Sequence, residues 1–300
     1  MRYTNMLFMV LATLLALPMQ NIPAQKDGYP SVSPDGAYLA FTSTRTGDEQ
    51  VFVISPDGSH EKQLTSSKDK KNAPYWNHEG AILFSTDDDD GGSRLFSVMP
   101  DSSNLRQIGK VPGRNPKLAP DGEHVIYAVG PWTASRLMLS ELHNPKPRQL
   151  TGNDSAVWTG WWSPNGKQIA YASQGAAHEL HVWIMDADGS NQRQITHMAV
   201  QEGRPQWPVW SPDSRQLAIQ VGRYNSTEST SHIWVVNLTT SLATKLAPHD
   251  QPVLDETPAW FPDGKHMAFQ SNRNGRMSIW AMKSDGTELR QITGADDLQK

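Results

Sequence analysis

The 300-residue chain contains no cysteine. Disulfides, thiolate nucleophiles, cysteine-ligated zinc and lipid attachment through an N-terminal cysteine are therefore excluded. It also lacks an excess of charge of either sign. Its 27 Lys and Arg against 31 Asp and Glu leave a net charge of -4, which offers no electrostatic footprint for nucleic acid or for an anionic membrane surface. No segment sustains a 3.6-residue apolar period, so helices are not expected. Neither a Gly-x-Ser-x-Gly elbow nor a His-Glu-x-x-His zinc motif is present, and no other catalytic signature stands out. His178-Glu179-Leu180-His181 has the wrong spacing for that zinc motif.

Long hydrophobic runs are missing with one exception. Met6 to Leu17 is apolar, follows Arg2, and is broken by Pro18, with the small residue Ala24 closing Ile22-Pro23-Ala24. A membrane span needs about 20 apolar residues. The layout is that of a secretory signal peptide over residues 1–24. The mature chain, 25–300, is expected to be exported to the periplasm or beyond, with no stable membrane insertion after cleavage.

What the sequence has is tryptophan, glycine and proline (11, 22 and 21 residues) and a repeat. Ser31 to Arg45, SVSPDGAYLAFTSTR, and Ala259 to Arg273, AWFPDGKHMAFQSNR, align without a gap. Four further copies lie between them. Their turn positions 34, 78, 120, 164, 212 and 262 step by 44, 42, 44, 48 and 50 residues, the period of a four-stranded propeller blade at ~40–50 residues. Each unit starts with a strand carrying Pro30, Pro74, Pro116, Gly160, Pro208 or Pro258. Proline cannot donate to a sheet ladder, so this strand, A, belongs on the free edge at the central channel. The Ser-Pro-Asp-Gly turn follows, with residue types that suit its successive positions. Strand B (Leu39-Ala40-Phe41 in the first unit) is apolar on both faces, strand C carries motifs such as Ile233-Trp234-Val235, and strand D alternates as Arg290-Gln291-Ile292-Thr293. The fold expected is all-β, a six-bladed β-propeller with four antiparallel strands per blade. The blades should span about 29–65, 73–109, 115–151, 159–196, 206–247 and 257–293. The repeats are in phase, so no strand is left over to interlock the ends. Closure should come from apolar packing across the seam between blades 1 and 6, with Ala295 to Lys300 as a loose tail.

Pro-x-Trp-Ser-Pro-Asp-Gly followed by Ile-Trp-x-Met-Asp-x-Asp-Gly-Ser and Arg-Gln-Ile-Thr resembles the PD40 (WD40-like) repeat of TolB-type six-bladed propellers, and does so over all six units. The resemblance implies binding of a protein or peptide in the cell envelope by a monomer. TolB-type chains also carry an N-terminal α/β domain; here the leader is expected to run directly into blade 1. Some related propellers, the oligogalacturonate lyases, hold a metal with histidines above the channel. A metal-dependent lyase or hydrolase of oligosaccharides is the alternative, with His181, His197, His232 and His249 as its candidates.

Ligands of propellers usually bind where the D-to-A and B-to-C loops surround the channel mouth. Blades 1, 5 and 6 carry Arg45, Arg223 and Arg273 at one offset in the B-to-C hairpin. They suit either a carboxylate ligand or a repeat-borne brace of the hairpins. Glu202 and Asp255 stand three residues before strand-A prolines and are candidates for the mouth. Trp158, Trp207 and Trp132 could form an aromatic platform or pack between blades. Asp87, Asp88, Asp89 and Asp90 are candidate Ca²⁺ ligands or a solvated hairpin tip. No other cofactor is expected.

Overall fold

The computed structural model describes residues 26–152, 156–174, 179–197, 203–224, 229–247 and 252–294. The expected signal peptide and C-terminal tail, Glu202 and His249 lie outside them. Within the described residues 24 strands form six four-stranded antiparallel sheets, each built from four consecutive strands in sequence order. The inner strands A of blades 1 to 6 run Asp27–Val32, Tyr75–Trp76, Arg114–Leu118, Ala156–Trp162, Arg204–Trp210 and Asp255–Trp260. Each pairs only with its own strand B, which leaves its other edge free toward the channel, as the prolines require.

The core is six wedges. Every pair of neighbouring blades shares one apolar cluster. Strand B shows why. Its side chains alternate between faces, so Leu39 and Phe41 pack toward blade 6 while Ala40 between them packs toward blade 2. Leu217 and Ile219 likewise face blade 4 and Ala218 faces blade 6. The recurrent middle alanine is the small side of a wedge whose other side is large.

The repeat motifs turn out to be hydrogen-bonding devices. In strand D, the threonines of the Arg/Lys-Gln-Ile/Leu-Thr motif accept the N–H of Val51, Leu137, Val182 and Ile279 at 2.9–3.0 Å. The preceding glutamines donate to the carbonyl of the same threonines. In the Ser-Pro-Asp-Gly turn, Ser33 and Ser211 donate to Asp35 and Asp213 at 2.6 Å, and Gly36 takes φ 74°. The tryptophan before the turn joins blades. The indoles of Trp76, Trp162, Trp210 and Trp260 donate to the backbone carbonyls of Ser31, Lys117, Trp161 and Val209 on the preceding blade.

Blade 1 has Val32 at that position, so the seam lacks this link. It closes through Leu39, Phe41, Phe52 and Ile54 packed on Phe261, Ala268, Ile279 and Ile292. Three polar links that the sequence does not reveal supplement this. The Asp27 N–H donates to the Met277 carbonyl (3.0 Å), the Tyr29 N–H to Gln270 Oε1 (2.9 Å), and Arg290 Nη1 to the Pro56 carbonyl (2.7 Å).

Candidate functional site

Four strand-A prolines, and Gly160 in their place in blade 4, lie in a local irregularity. The pairing of strands A and B shifts register at this point in blades 1, 3, 4, 5 and 6. In four of them the residue before the proline is left-handed: Tyr29 (φ 53°), Asn115 (51°), Trp207 (53°) and Thr257 (48°). Positive φ is a genuine outlier for bulky residues, and a following proline restricts them further. Bulges of this kind re-aim side chains, and strained backbone concentrates where a side chain is put to use.

The result is a belt across the channel. The rings of Tyr29 (blade 1) and Trp207 (blade 5) are 5.4 Å apart. These blades are not neighbours; both flank blade 6, so their rings meet in front of it. Trp207 also contacts Trp161 of blade 4, at 5.6 Å. Lys117 of blade 3 places Nζ 4.1 Å from the Trp161 centroid and 4.3 Å from that of Tyr75 on blade 2. Five blades thus contribute to one chain of contacts, Tyr75–Lys117–Trp161–Trp207–Tyr29.

Lys117 is only 6% exposed. Its one hydrogen bond goes to the Ala73 carbonyl at 3.4 Å, and no carboxylate pairs with it among the described residues. Burial lowers its ammonium to about 7, because desolvation disfavours the charged form.

Above the belt, on the side of blades 5, 6 and 1, is an acidic network. Glu256 is half-buried. Its Oε1 accepts from the Tyr224 hydroxyl (3.0 Å) and Gln220 Nε2 (3.2 Å), and its Oε2 from Gln270 Nε2 (2.9 Å). Burial raises the Tyr29 phenol, and the carboxylates of Glu49 and Glu256 add to the rise. Tyr224 is raised by burial and by Glu256. On the side of blades 3 and 4, the Arg114 guanidinium lies 4.3 Å from the centroid of Trp132, which is 57% exposed. The Trp158 indole donates to the Trp132 carbonyl (3.1 Å), and Asn115 Nδ2 to the Trp158 carbonyl (3.0 Å).

The residues singled out from the sequence divide among these places. Arg45 and Arg273 are braces within their own blades. Arg45 Nε donates to Ser43 and its Nη2 meets Asp27 at 2.9 Å, while Nη1 meets Glu61. Arg273 repeats the arrangement with Ser271 and with Asp255, at 2.6 Å. Asp255, expected as a mouth residue, is 2% exposed beneath Arg273. The bonds run to strand-A carboxylates rather than to loop carbonyls, and they tie the B-to-C hairpin to the inner strand. Arg223 is exposed and has no ion-pair partner among the described residues. Trp158 is half-buried. Asp88 and Asp90 are both bound by Lys110 (2.5 and 3.3 Å), and Asp87 accepts from Asn72. The four aspartates do not gather as a ligand set: among the described residues no group of three or more His, Asp or Glu could hold a metal ion. His181 faces Glu179 at 3.4 Å and His197 faces Gln194 at 3.3 Å.

The sequence reading did not single out Tyr29, Tyr75, Lys117 or Trp161. A signal existed: they flank the recurrent strand-A proline, or Gly160 in its place in blade 4, at positions where the six repeats differ in residue type.

A family model described as the TolB beta propeller domain, PD40, matches residues 19–209 and 146–300. The Tol-Pal system protein TolB of Alcanivorax borkumensis is 29% identical over 165 residues, 51% of this chain and 36% of that protein. Among solved structures, TolB from Acinetobacter baumannii superimposes with TM-score 0.65 at 16% identity, covering 91% of this chain and 64% of that one. An oligogalacturonate lyase in complex with manganese gives TM-score 0.57 at 15% identity, covering 90% and 78%. At such identities the structures share the fold alone. The chain spans between a fifth and somewhat over half of the length of the curated relatives it matches.

Proposed function

The chain belongs to the TolB β-propeller family with PD40 repeats, and from that premise we propose that it is an exported, periplasmic binding protein that takes a protein or peptide segment at its channel mouth. The observation that carries this reading is the belt of four aromatic rings and Lys117 from five blades, held in place by strained backbone at Tyr29 and Trp207. A ring of repeats needs no such belt to close, since its wedges are packed between blades. Large aromatic faces at the base of a polar-rimmed mouth are the anchor surface that peptide side chains use. Glu256 and Arg114 supply polar handles above the belt, with Trp158 and Arg223 further out. Binding by one monomer suffices for this arrangement.

A second reading, a metal-dependent lyase of oligosaccharides, is supported by the fold likeness to the manganese-bound lyase. Of its candidate histidines, His249 lies outside the described residues.

One experiment separates the two. The mature chain is immobilised and exposed to envelope extract, and its metal content is measured in parallel. The binding reading expects a specific protein retained by the wild type and lost on Trp207→Gly. Stoichiometric metal with no retained protein would overturn it in favour of the lyase.

A further inference from the structure

Blades 3 and 6 carry opposite charges at one position of the fold. Arg114 and Glu256 each stand two residues before the strand-A proline, and each pairs with the equivalent strand-B residue, Ala128 and Gln270. In a ring of six, blade 6 is the third neighbour of blade 3 in either direction. The two groups therefore stand on opposite sides of the channel at one level.

Both are incompletely satisfied. Arg114 Nε and Nη2 are buried without a hydrogen-bond acceptor among the described residues. A buried guanidinium N–H without an acceptor costs more than an ordinary missing bond, and the stack on Trp132 satisfies the face of the group, not its edge. Glu256 is held by three neutral donors and has no cationic partner among the described residues. A carboxylate offers about four lone-pair sites, so one remains. Each side is reinforced. Lys117 follows Arg114 deeper on the same strand, and Glu49 acts together with Glu256 on Tyr29. Aromatic faces accompany both sides: Trp132 by Arg114, and the Tyr29–Trp207 pair by Glu256. Beside a carboxylate, such faces attract a cation as well as apolar groups.

We propose that the mouth is polarised and takes a peptide segment bearing both a cationic and an anionic group, with the cation against Glu256 on blade 6 and the carboxylate against Arg114 on blade 3. This rests on the peptide-binding reading and adds to it the charge pattern and the direction of the ligand. A guanidinium edge without an acceptor gains paired bonds from a carboxylate, and a ligand of the reverse polarity would meet like charge at both ends.

The test uses the mature chain on an array of random octapeptides, with wild type, Glu256→Gln and Arg114→Gln compared at equal unfolding midpoints. The expected result is at least tenfold greater retention of peptides carrying both a basic and an acidic residue than of peptides carrying one. Glu256→Gln should abolish only the preference for the basic residue, and Arg114→Gln only that for the acidic one. Retention of peptides without a paired-charge preference, or equal loss of all peptides in both variants, would overturn the polarised mouth while leaving peptide binding intact. No retained peptide at all would overturn both.

Discussion

Arg273 and Lys117 are two enclosed cations that each rest between aromatic rings, and they differ in what else they meet. Arg273 lies over Phe269 and Trp280 at 5.4 and 5.3 Å and is neutralised by Asp255. Lys117 lies over Tyr75 and Trp161 and meets no carboxylate among the described residues. Arg273 has a counterpart in blade 1, where Arg45, Ser43 and Asp27 form the same set. Lys117 has none: the equivalent positions are Ser31, Tyr75, Trp161, Val209 and Ala259. The brace shared by blades 1 and 6 is neutralised within its own blade and ties the hairpin to the inner strand. Lys117, which occurs once, has a single hydrogen bond and no counter-charge among the described residues.

The largest effect should come from breaking the brace. Asp255→Ala leaves the Arg273 guanidinium mostly enclosed without its counter-charge, which costs about 3 kcal/mol. Urea unfolding should show this loss, with a smaller one for Asp255→Asn, which keeps a hydrogen-bond acceptor. A loss below that of an ordinary surface substitution would mean that the brace is not structural.

The opposite outcome is expected at Lys117. Its folded-state value is about 7, against 10.5 for a free lysine. Between these values the unfolded chain binds more protons than the folded one, so wild-type stability rises with pH in that window. The cost of the buried charge is complete below about pH 7 and vanishes toward pH 10.5. Lys117→Met should therefore be at least as stable as wild type at pH 7. That advantage should shrink by at least about 1.4 kcal/mol, the value of one pKa unit, by pH 10. A gap that stays constant or widens with pH would show that Lys117 is not desolvated.

The same contrast explains what the sequence made legible. Six blades, strand order, inner-edge prolines and the apolar seam follow from the repeat, because a device used six times is written six times. The brace at Arg45 and Arg273 was legible as a shared offset and as one of its two readings, but its partners were not: Asp27 and Asp255 stand 18 residues before their arginines, and pairing them requires the register of strands A and B. The belt was hidden for a different reason. Tyr29 and Trp207 reach each other only because left-handed backbone before a proline swings both rings into the channel, against the local preference of pre-proline residues for extended geometry. Trp207 was visible as a candidate aromatic; its partners across non-neighbouring blades were not. Glu202 and His249 lie outside the described residues.

The central claim is that the once-only residues of the channel, not the repeated ones, hold the ligand. Calorimetric titration of the tightest-binding array octapeptide into wild type and Trp207→Gly tests it most directly. Glycine removes the ring and accepts the positive φ that tryptophan adopts under strain. The account predicts at least a tenfold loss of affinity with no fall in the unfolding midpoint. Unchanged affinity in a folded Trp207→Gly protein would contradict it.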